Sequence, residues 1–205
     1  MNQTLKIDRL SEIRNDLEAI AKISPDSVIR IINEGDRVKK SLGFDYKIDD
    51  VQAVRKICDH SNRTPDVYYA AIFNHFNNPY DVTTESLFNN NSFVDNKRKV
   101  LPFSRVLEKQ VGECAEKAIS MQLNIQDKVE SSYISGWMSI DDDFAVPHAY
   151  NIMLSPKKGP FLIDVENTNF VDGKLRPYIV PISEIDKDTI IHIDNVDDGR
   201  VYGIL

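Results

Sequence analysis

Hydrophobic residues recur every three or four positions through the first part of the chain, which is the spacing of an amphipathic helix. One such repeat extends over residues 10–21. A second, over residues 28–38, follows Ser24 and Pro25, a pair that resembles a helix cap with proline at the first helical position. The pattern therefore predicts two helices in this part of the chain.

Two more helices are predicted further along the amino-terminal half. Asp49 and Gln52 resemble a capping box in front of a short apolar repeat. Thr64 and Pro65 repeat the cap signal, and apolar residues at helical spacing follow as far as Phe76. We therefore expect the amino-terminal part of the chain to be helical.

The pattern changes after the polar, asparagine-rich residues 77–100, which mark a boundary. A short helix is expected after Pro102, and another around residue 114. From Ser131 onward, short runs rich in Ile, Val, Phe and Tyr predict strands, and two Asp-Gly pairs predict hairpin turns. The predicted strands are Tyr133 to Ile140, Pro147 to Leu154, Pro160 to Val165, Ile190 to Ile193 and Val201 to Leu205.

Helices followed by an antiparallel meander predict the α+β class. We expect a helical amino-terminal region, residues 1–98, packed on a core formed by residues 99–205. A chain of 205 residues is long enough to bury such a core.

Composition excludes several classes of function. The formal charge of −7 and the lack of a strongly basic segment argue against nucleic-acid binding. No apolar run is long enough to predict a membrane span, and residues 1–10 lack an apolar signal core. Two cysteines do not form a disulfide scaffold, although one bridge between them is conceivable. We expect a cytoplasmic protein with reduced thiols, and secretion by a route without a signal peptide is the alternative.

Cys114 is the first candidate for chemistry, because it lies at the predicted start of a helix, two residues after Gly112. The helix dipole and the free backbone N–H groups of a first turn favour a thiolate and can hold an oxyanion. The alternative is that Cys114 is a small core residue of an amphipathic helix. Cys58, predicted to lie within a helix beside Ile57, is interpreted as structural.

His148 and Asp164 complete a possible catalytic set. His148 lies near the start of a predicted strand, where it could act as a general base toward the thiol. Asp164 lies in an otherwise apolar strand, where a carboxylate is costly unless it has a partner. It could orient the imidazole and stabilise the imidazolium. Glu166, which has the same parity along the strand, is the alternative orienting residue.

Three segments together resemble the transglutaminase-like superfamily, whose members share a papain-like fold. They are Gly112-Glu113-Cys114-Ala115-Glu116-Lys117-Ala118, Pro147-His148-Ala149-Tyr150-Asn151 and Leu162-Ile163-Asp164-Val165. The resemblance covers roughly residues 100–170. It implies a Cys114-His148-Asp164 triad, with the cysteine helix packed on an antiparallel sheet.

The chain departs from the family at two points. Tyr150 stands where the family often has Trp, and the ring is expected mainly to pack. Gln110 is the one nearby candidate for an additional oxyanion donor, but it lies closer to the cysteine than in papain-like enzymes.

No cofactor or metal is expected. Asp141, Asp142 and Asp143 lack the spacing of a calcium loop and predict a solvated turn. No cluster of His and Cys has the spacing of a zinc site, and no glycine-rich phosphate loop is present.

The resulting hypothesis is a cysteine-dependent acyl-transfer enzyme that acts on protein or peptide amides as a protease, amidase or deamidase. Hydrolysis is favoured because no separate amine-binding feature is visible, and crosslinking by a transglutaminase is the alternative. Two other hypotheses are a catalytically silent binding module of the same fold and a deamidase toxin directed at a host or competitor. A protein or peptide substrate is expected, and the oligomeric state stays open.

Overall fold

The computed structural model describes a mixed α+β fold, as the sequence predicts. It describes residues 23, 25–31, 43–58, 64–76, 87, 90, 93–95, 98–141, 144–155, 157–171, 174–181, 191–195 and 200–204. Among these residues the helices are α1 (Val51–Ile57), α2 (Pro65–Phe76), α3 (Phe103–Lys109) and α4 (Cys114–Ile125). The strands are β1 (Val28–Ile31), β2 (Gly43–Lys47), β3 (Phe93–Asp95), β4 (Arg98–Pro102), β5 (Ser131–Asp141), β6 (Phe144–Ser155), β7 (Gly159–Val171), β8 (Lys174–Pro181), β9 (Ile191–Asn195) and β10 (Arg200–Ile204).

The described strands form two sheets. The smaller sheet has the order β1-β2-β4-β3, in which β2 and β4 are parallel and the other pairs are antiparallel. The larger sheet has the order β10-β9-β5-β6-β7-β8 and is antiparallel throughout. The predicted meander therefore holds for β5 to β8, whereas β9 returns across the sheet to lie beside β5.

The helix predicted over residues 28–38 is wrong for residues 28–31, and residues 32–38 lie outside the described residues. Asp26 has a φ of 64°, a left-handed conformation that a right-handed helix does not allow. Its N–H donates to the carbonyl of Ile48, and the N–H of Ile48 donates to the carbonyl of Ser27, both at 2.8 Å. The chain then continues as β1, which pairs with β2. The expectation of a wholly helical amino-terminal region is corrected accordingly.

Other amino-terminal predictions have different outcomes. The helix that begins at Pro65 is confirmed, and the one predicted after Asp49 is present with Asp50 as its cap. The Asp50 side chain accepts from the N–H of Ala53 at 2.9 Å. Asp49 instead accepts from the N–H of Ser104, also at 2.9 Å, and so ties the start of α3 to this loop. The helix predicted over residues 10–21 lies outside the described residues, and the division of the chain at residue 98 stays a prediction.

Helix α4 lies at the centre of the described structure and is buried along its length from Ala115 to Ile125. A helix can be buried on all sides only if its polar side chains find partners. Asn124 donates to the carbonyls of Ser120 and Val54, the latter in α1. Asn151 of β6 donates to the carbonyl of Ala118 at 3.0 Å and so joins the large sheet to α4.

The carboxy-terminal end of α4 is tied to the chain before β1. Gln126 accepts from the N–H of Ile23 and donates to its carbonyl, both at 2.9 Å. On the sheet side, Gln122 donates to the carbonyl of Ser131, the first residue of β5. These bonds fix the axis of α4, and with it the position of the first turn of the helix. In the part of the chain that is described, no helix has the length and apolar character needed to cross a membrane.

Candidate active site

The turn into α4 is closely packed around a glycine. A Cβ atom added at Gly112 would lie 2.7 Å from Cδ1 of Phe76 and 2.7 Å from Cβ of Glu116, closer than such atoms can approach. The lack of a side chain at Gly112 therefore lets the Phe76 ring and the Glu116 side chain pack against the backbone in front of α4. The next residue, Glu113, donates its N–H to Oε2 of Glu116 at 2.8 Å, which closes the first turn of the helix.

Glu116 is a buried carboxylic acid beneath this turn. It also accepts a hydrogen bond from the hydroxyl of Tyr46 in β2. Burial raises the pKa of Glu116, although the hydrogen bonds from Tyr46 and from the backbone oppose that effect. Burial raises the pKa of Tyr46 well above its usual range, and the charge of the neighbouring Glu116 raises it further. The hydrogen bond from Tyr46 thereby attaches the first turn of α4 to the small sheet.

Cys114 is the first residue of α4, as the sequence predicts, and it is partly exposed. At this position the N–H of Cys114 has no acceptor within the helix, so it can face a bound oxyanion. Cys58 differs in both respects. It is 2% exposed, and its Sγ lies 3.9 Å from the carbonyl oxygen of Tyr68. Cys58 was predicted within a helix but lies just after α1, and its buried position agrees with a structural role. Neither thiol forms a disulfide.

His148 and Asp164 are hydrogen bonded to each other. His148 lies on β6 and Asp164 on β7, and these strands pair in an antiparallel register that sets Asn151 opposite Ile163. Nε2 of His148 is 2.7 Å from Oδ2 of Asp164, and both side chains are buried. The predicted contact between the imidazole and Asp164 is confirmed. Since Asp164 occupies Nε2, Nδ1 is the ring nitrogen left for the thiol.

The electrostatics of His148 connect it to Cys114 as well. Burial lowers the pKa of His148, but side-chain hydrogen bonds with Asp164 and Cys114, together with their charges, outweigh burial and raise it to about 10. An imidazole with this pKa carries its proton at neutral pH. The structure therefore pairs His148 with Asp164, and the thiol of Cys114 contributes to raising the pKa of the same imidazole.

The second oxygen of Asp164 is held by the backbone of the same strand. Oδ1 accepts from the N–H of Glu166 at 3.0 Å. The side chain of Glu166 points to a different partner, because Oε2 lies 2.7 Å from Nζ of Lys117 in α4. Glu166 is therefore not the residue that orients His148. Lys117 was missed as a site residue, and its position one turn after Cys114 was the signal that could have identified it.

The ring of Tyr150 packs against the imidazole of His148. The two rings are stacked, with centroids 6.2 Å apart and an angle of 25° between their planes. The expectation that this ring packs is met. Its hydroxyl is buried and has no hydrogen-bond partner among the described residues. Burial, and then the nearby Asp164 charge, raise the pKa of Tyr150 above its usual range.

Two further predictions concern Gln110 and the residues that could bind a metal. Gln110 is exposed and adopts a left-handed conformation, with a φ of 55°, at the end of α3. Its role as an oxyanion donor stays a prediction. No group of three or more potential metal ligands occurs among the described residues, which do not include Asp142 and Asp143.

Comparison with known proteins adds no relative. No protein-family model, no curated protein and no solved structure matches this chain. The resemblance to the transglutaminase-like superfamily therefore depends on the residues quoted for it and on their arrangement. The function of the chain is therefore inferred from the geometry of Cys114, His148 and Asp164.

Proposed function

We propose that this protein is a cysteine-dependent acyl-transfer enzyme that hydrolyses amide bonds of a protein or peptide substrate. The observation on which the proposal depends is the 2.7 Å contact of Nε2 of His148 with Oδ2 of Asp164, in a pair whose imidazole also has its pKa raised by Cys114. A nucleophile, a base and a residue that orients the base are the minimal set for covalent acyl transfer.

We further propose that the core is a transglutaminase-like variant of the papain-like fold. Three features support this: the cysteine begins a helix, the helix packs on an antiparallel sheet, and the histidine and aspartate lie on adjacent strands of that sheet. This is the arrangement that the sequence resemblance implies. The ring nitrogen assignment, with Nε2 toward Asp164 and Nδ1 left for Cys114, is consistent with it.

The reaction would begin with transfer of the Cys114 thiol proton to His148, whose raised pKa, about 10, favours the protonated ring. The Cys114 thiolate attacks the amide carbon, and the carbonyl π electrons move to oxygen as the C–S bond forms. The backbone N–H of Cys114 contributes to binding of that oxyanion. When the carbonyl is restored, the C–N bond breaks, and His148 gives its proton to the departing amine.

The second half of the reaction releases the acyl group. His148, now neutral, accepts a proton from water as the water attacks the thioester carbon. The C–S bond breaks, the carboxylic acid product leaves, and the thiolate–imidazolium pair is restored. Asp164 holds the ring and stabilises the imidazolium at each stage where the proton is on His148. If an amine replaces water in this step, the product is a crosslink.

The experiment is incubation of the protein with candidate protein substrates, followed by mass measurement of the products. Cleavage gives two fragments that together contain one added water. Deamidation exchanges a carboxamide for a carboxylic acid, and crosslinking joins two chains with loss of ammonia. Any of these products supports acyl transfer if Cys114→Ala abolishes it while Cys58→Ala does not.

The three product types separate the possible acceptors. Fragments or deamidated protein support hydrolysis, whereas a crosslinked product supports the transglutaminase alternative. A product that persists in Cys114→Ala would contradict the proposal. Lack of both product formation and thiol labelling at Cys114 would favour the binding-module alternative.

A further inference from the structure

Lys117 and Glu166 form an ion pair beside the proposed triad. Nζ of Lys117 lies 2.7 Å from Oε2 of Glu166, so the pair joins α4 to β7. The Lys117 side chain is only 8% exposed, and its ammonium lies 5.3 Å from the centre of the Phe73 ring in α2. A buried ammonium group is costly without a partner, and Glu166 supplies that partner.

Glu166 also contacts the triad through its backbone. Its N–H donates to Oδ1 of Asp164 at 3.0 Å, while Oδ2 of the same carboxylate contacts His148. The direction of this N–H depends on where the Glu166 residue is held. Its side chain is anchored to Lys117, one turn along the helix that begins at Cys114. The Lys117–Glu166 pair therefore connects the helix that carries Cys114 to the residue whose N–H binds Asp164. This connection is additional to the one through His148.

We propose that Lys117 and Glu166 are positioning residues of the acyl-transfer site. Their ion pair fixes the Glu166 N–H against Asp164, and it thereby fixes the imidazole relative to the thiol at the start of α4. This inference depends on the proposed function. Without the pair, the Asp164 carboxylate can rotate, so it stabilises the imidazolium less and presents the His148 ring less accurately to Cys114.

The opposite end of α4 offers a matched control. Arg55 of α1 pairs with Asp127, which follows α4, and Arg55 also donates to the carbonyl of Leu123. This pair joins the same helix to a neighbouring element, but both side chains are well exposed and the pair lies at the end of α4 remote from Cys114. Its loss should affect the attachment of α4 without affecting Asp164.

The test compares Lys117→Met, Glu166→Gln and the double variant with Arg55→Met and Asp127→Asn. Methionine keeps the stem that lies near Phe73, and glutamine keeps the shape of Glu166. Two quantities are measured on the full chain: the rate of iodoacetamide alkylation of Cys114, and the midpoint of the His148 imidazole titration by NMR. Thermal unfolding records the stability of every variant.

We expect alkylation of Cys114 to be roughly 10-fold slower in each site variant, since small displacements at a reacting centre have effects of this size or larger. The midpoint of the His148 titration should fall, because the carboxylate that raises it is held less well. The double variant should resemble the single ones, because both changes break the same pair. The Arg55 and Asp127 variants should keep the wild-type rate and midpoint, whatever their stability.

The results distinguish this inference from the proposed function. Rapid Cys114 alkylation in the wild type, with the rate and the His148 midpoint unchanged in folded Glu166→Gln, would overturn the positioning role alone. Equal alkylation of Cys114 and Cys58 in the wild type would overturn the proposed function and this inference with it. If Lys117→Met is unfolded at the assay temperature, Glu166→Gln, whose side chain is 36% exposed, decides the result.

Discussion

Nε2 of His148 lies 2.7 Å from Oδ2 of Asp164, a contact between two buried side chains on adjacent strands of the large sheet. Such a bond fixes both the rotation of the imidazole ring and the nitrogen that faces the carboxylate. It leaves Nδ1 for Cys114, whose side chain shares in raising the pKa of His148. The proposed roles of Cys114 and Asp164 depend on this orientation of the His148 ring.

Substitution of the triad should produce unequal losses of activity. Cys114→Ala should abolish turnover with the fold intact, because alanine suits a helix at least as well. His148→Ala should reduce turnover by roughly 10² to 10⁴-fold, the contribution of a positioned acid–base group. Asp164→Asn should retain more activity than either, since it keeps the shape of the carboxylate and loses its charge. Turnover of each variant on the substrate found by mass measurement checks the order.

These losses should not add, because the three residues act as one unit. The triple variant should therefore be little slower than Cys114→Ala alone. Wild-type turnover in Cys114→Ala would contradict the assignment of the nucleophile, and the binding-module alternative would then be preferred.

The protonation of His148 should differ between the folded and unfolded chain. In the folded protein its pKa is raised to about 10, so the ring should be an imidazolium at pH 8. In urea it should titrate near its ordinary value of about 6.5. NMR of the ring protons at increasing pH measures both midpoints, and a His148→Gln variant assigns the signal.

The partners of His148 set the sign of the expected changes. Asp164→Asn removes a group that raises the pKa, while burial continues to lower it, so the folded midpoint should fall. Cys114→Ala should lower the midpoint too. A neutral ring at pH 8 in the wild type, or a midpoint that rises in Asp164→Asn, would refute this description of the pair.

Gly112→Ala should destabilise the protein by about 1–3 kcal/mol, because the added Cβ would overlap Phe76 and Glu116 at 2.7 Å. Urea unfolding measures the change in the free energy of unfolding. The matched test adds Phe76→Leu, which makes room for the new methyl group. The double variant should then lose less stability than the sum of the single changes. Additive losses would show that the methyl group added at Gly112 and the Phe76 ring do not compete for this space.

Two buried tyrosines should respond differently to removal of the hydroxyl. Tyr150→Phe should change the free energy of unfolding by less than about 0.5 kcal/mol, since its hydroxyl has no partner among the described residues. Tyr46→Phe should cost about 1–3 kcal/mol, because the buried Glu116 carboxylate loses a donor. Urea unfolding of both variants provides the comparison, and equal losses would contradict it.

The candidate site could be predicted because its signals are local. A glycine before a cysteine at a helix start, and a charged residue within an apolar strand, are visible in a few residues of sequence. The register of β6 and β7 then brings His148 and Asp164 together. Lys117 lies one turn after Cys114, but its pairing with Glu166 was not visible in this way, since the contact depends on how α4 packs against β7.

The small sheet shows why other predictions were wrong. The apolar residues of β1 fit a helical repeat as well as a strand, and nothing nearby in the sequence decides between the two. The strand is fixed by β2, which in turn pairs in parallel with β4 more than fifty residues further along. Pairings this distant leave no periodic signal in the segment itself. The left-handed conformation of Asp26 could not be predicted, because the Ser24-Pro25 pair before it is also typical of a helix cap.

A comparison of the alkylation rates of the two thiols in one folded protein shows whether Cys114 is an activated nucleophile. Iodoacetamide is added near neutral pH, and peptide masses give the modified fraction of Cys114 and Cys58 with time. We expect Cys114 to react far faster, His148→Ala to remove most of this preference, and urea to make the two rates similar. Equal rates in the folded wild type, or faster alkylation of the buried Cys58, would show that Cys114 is not activated.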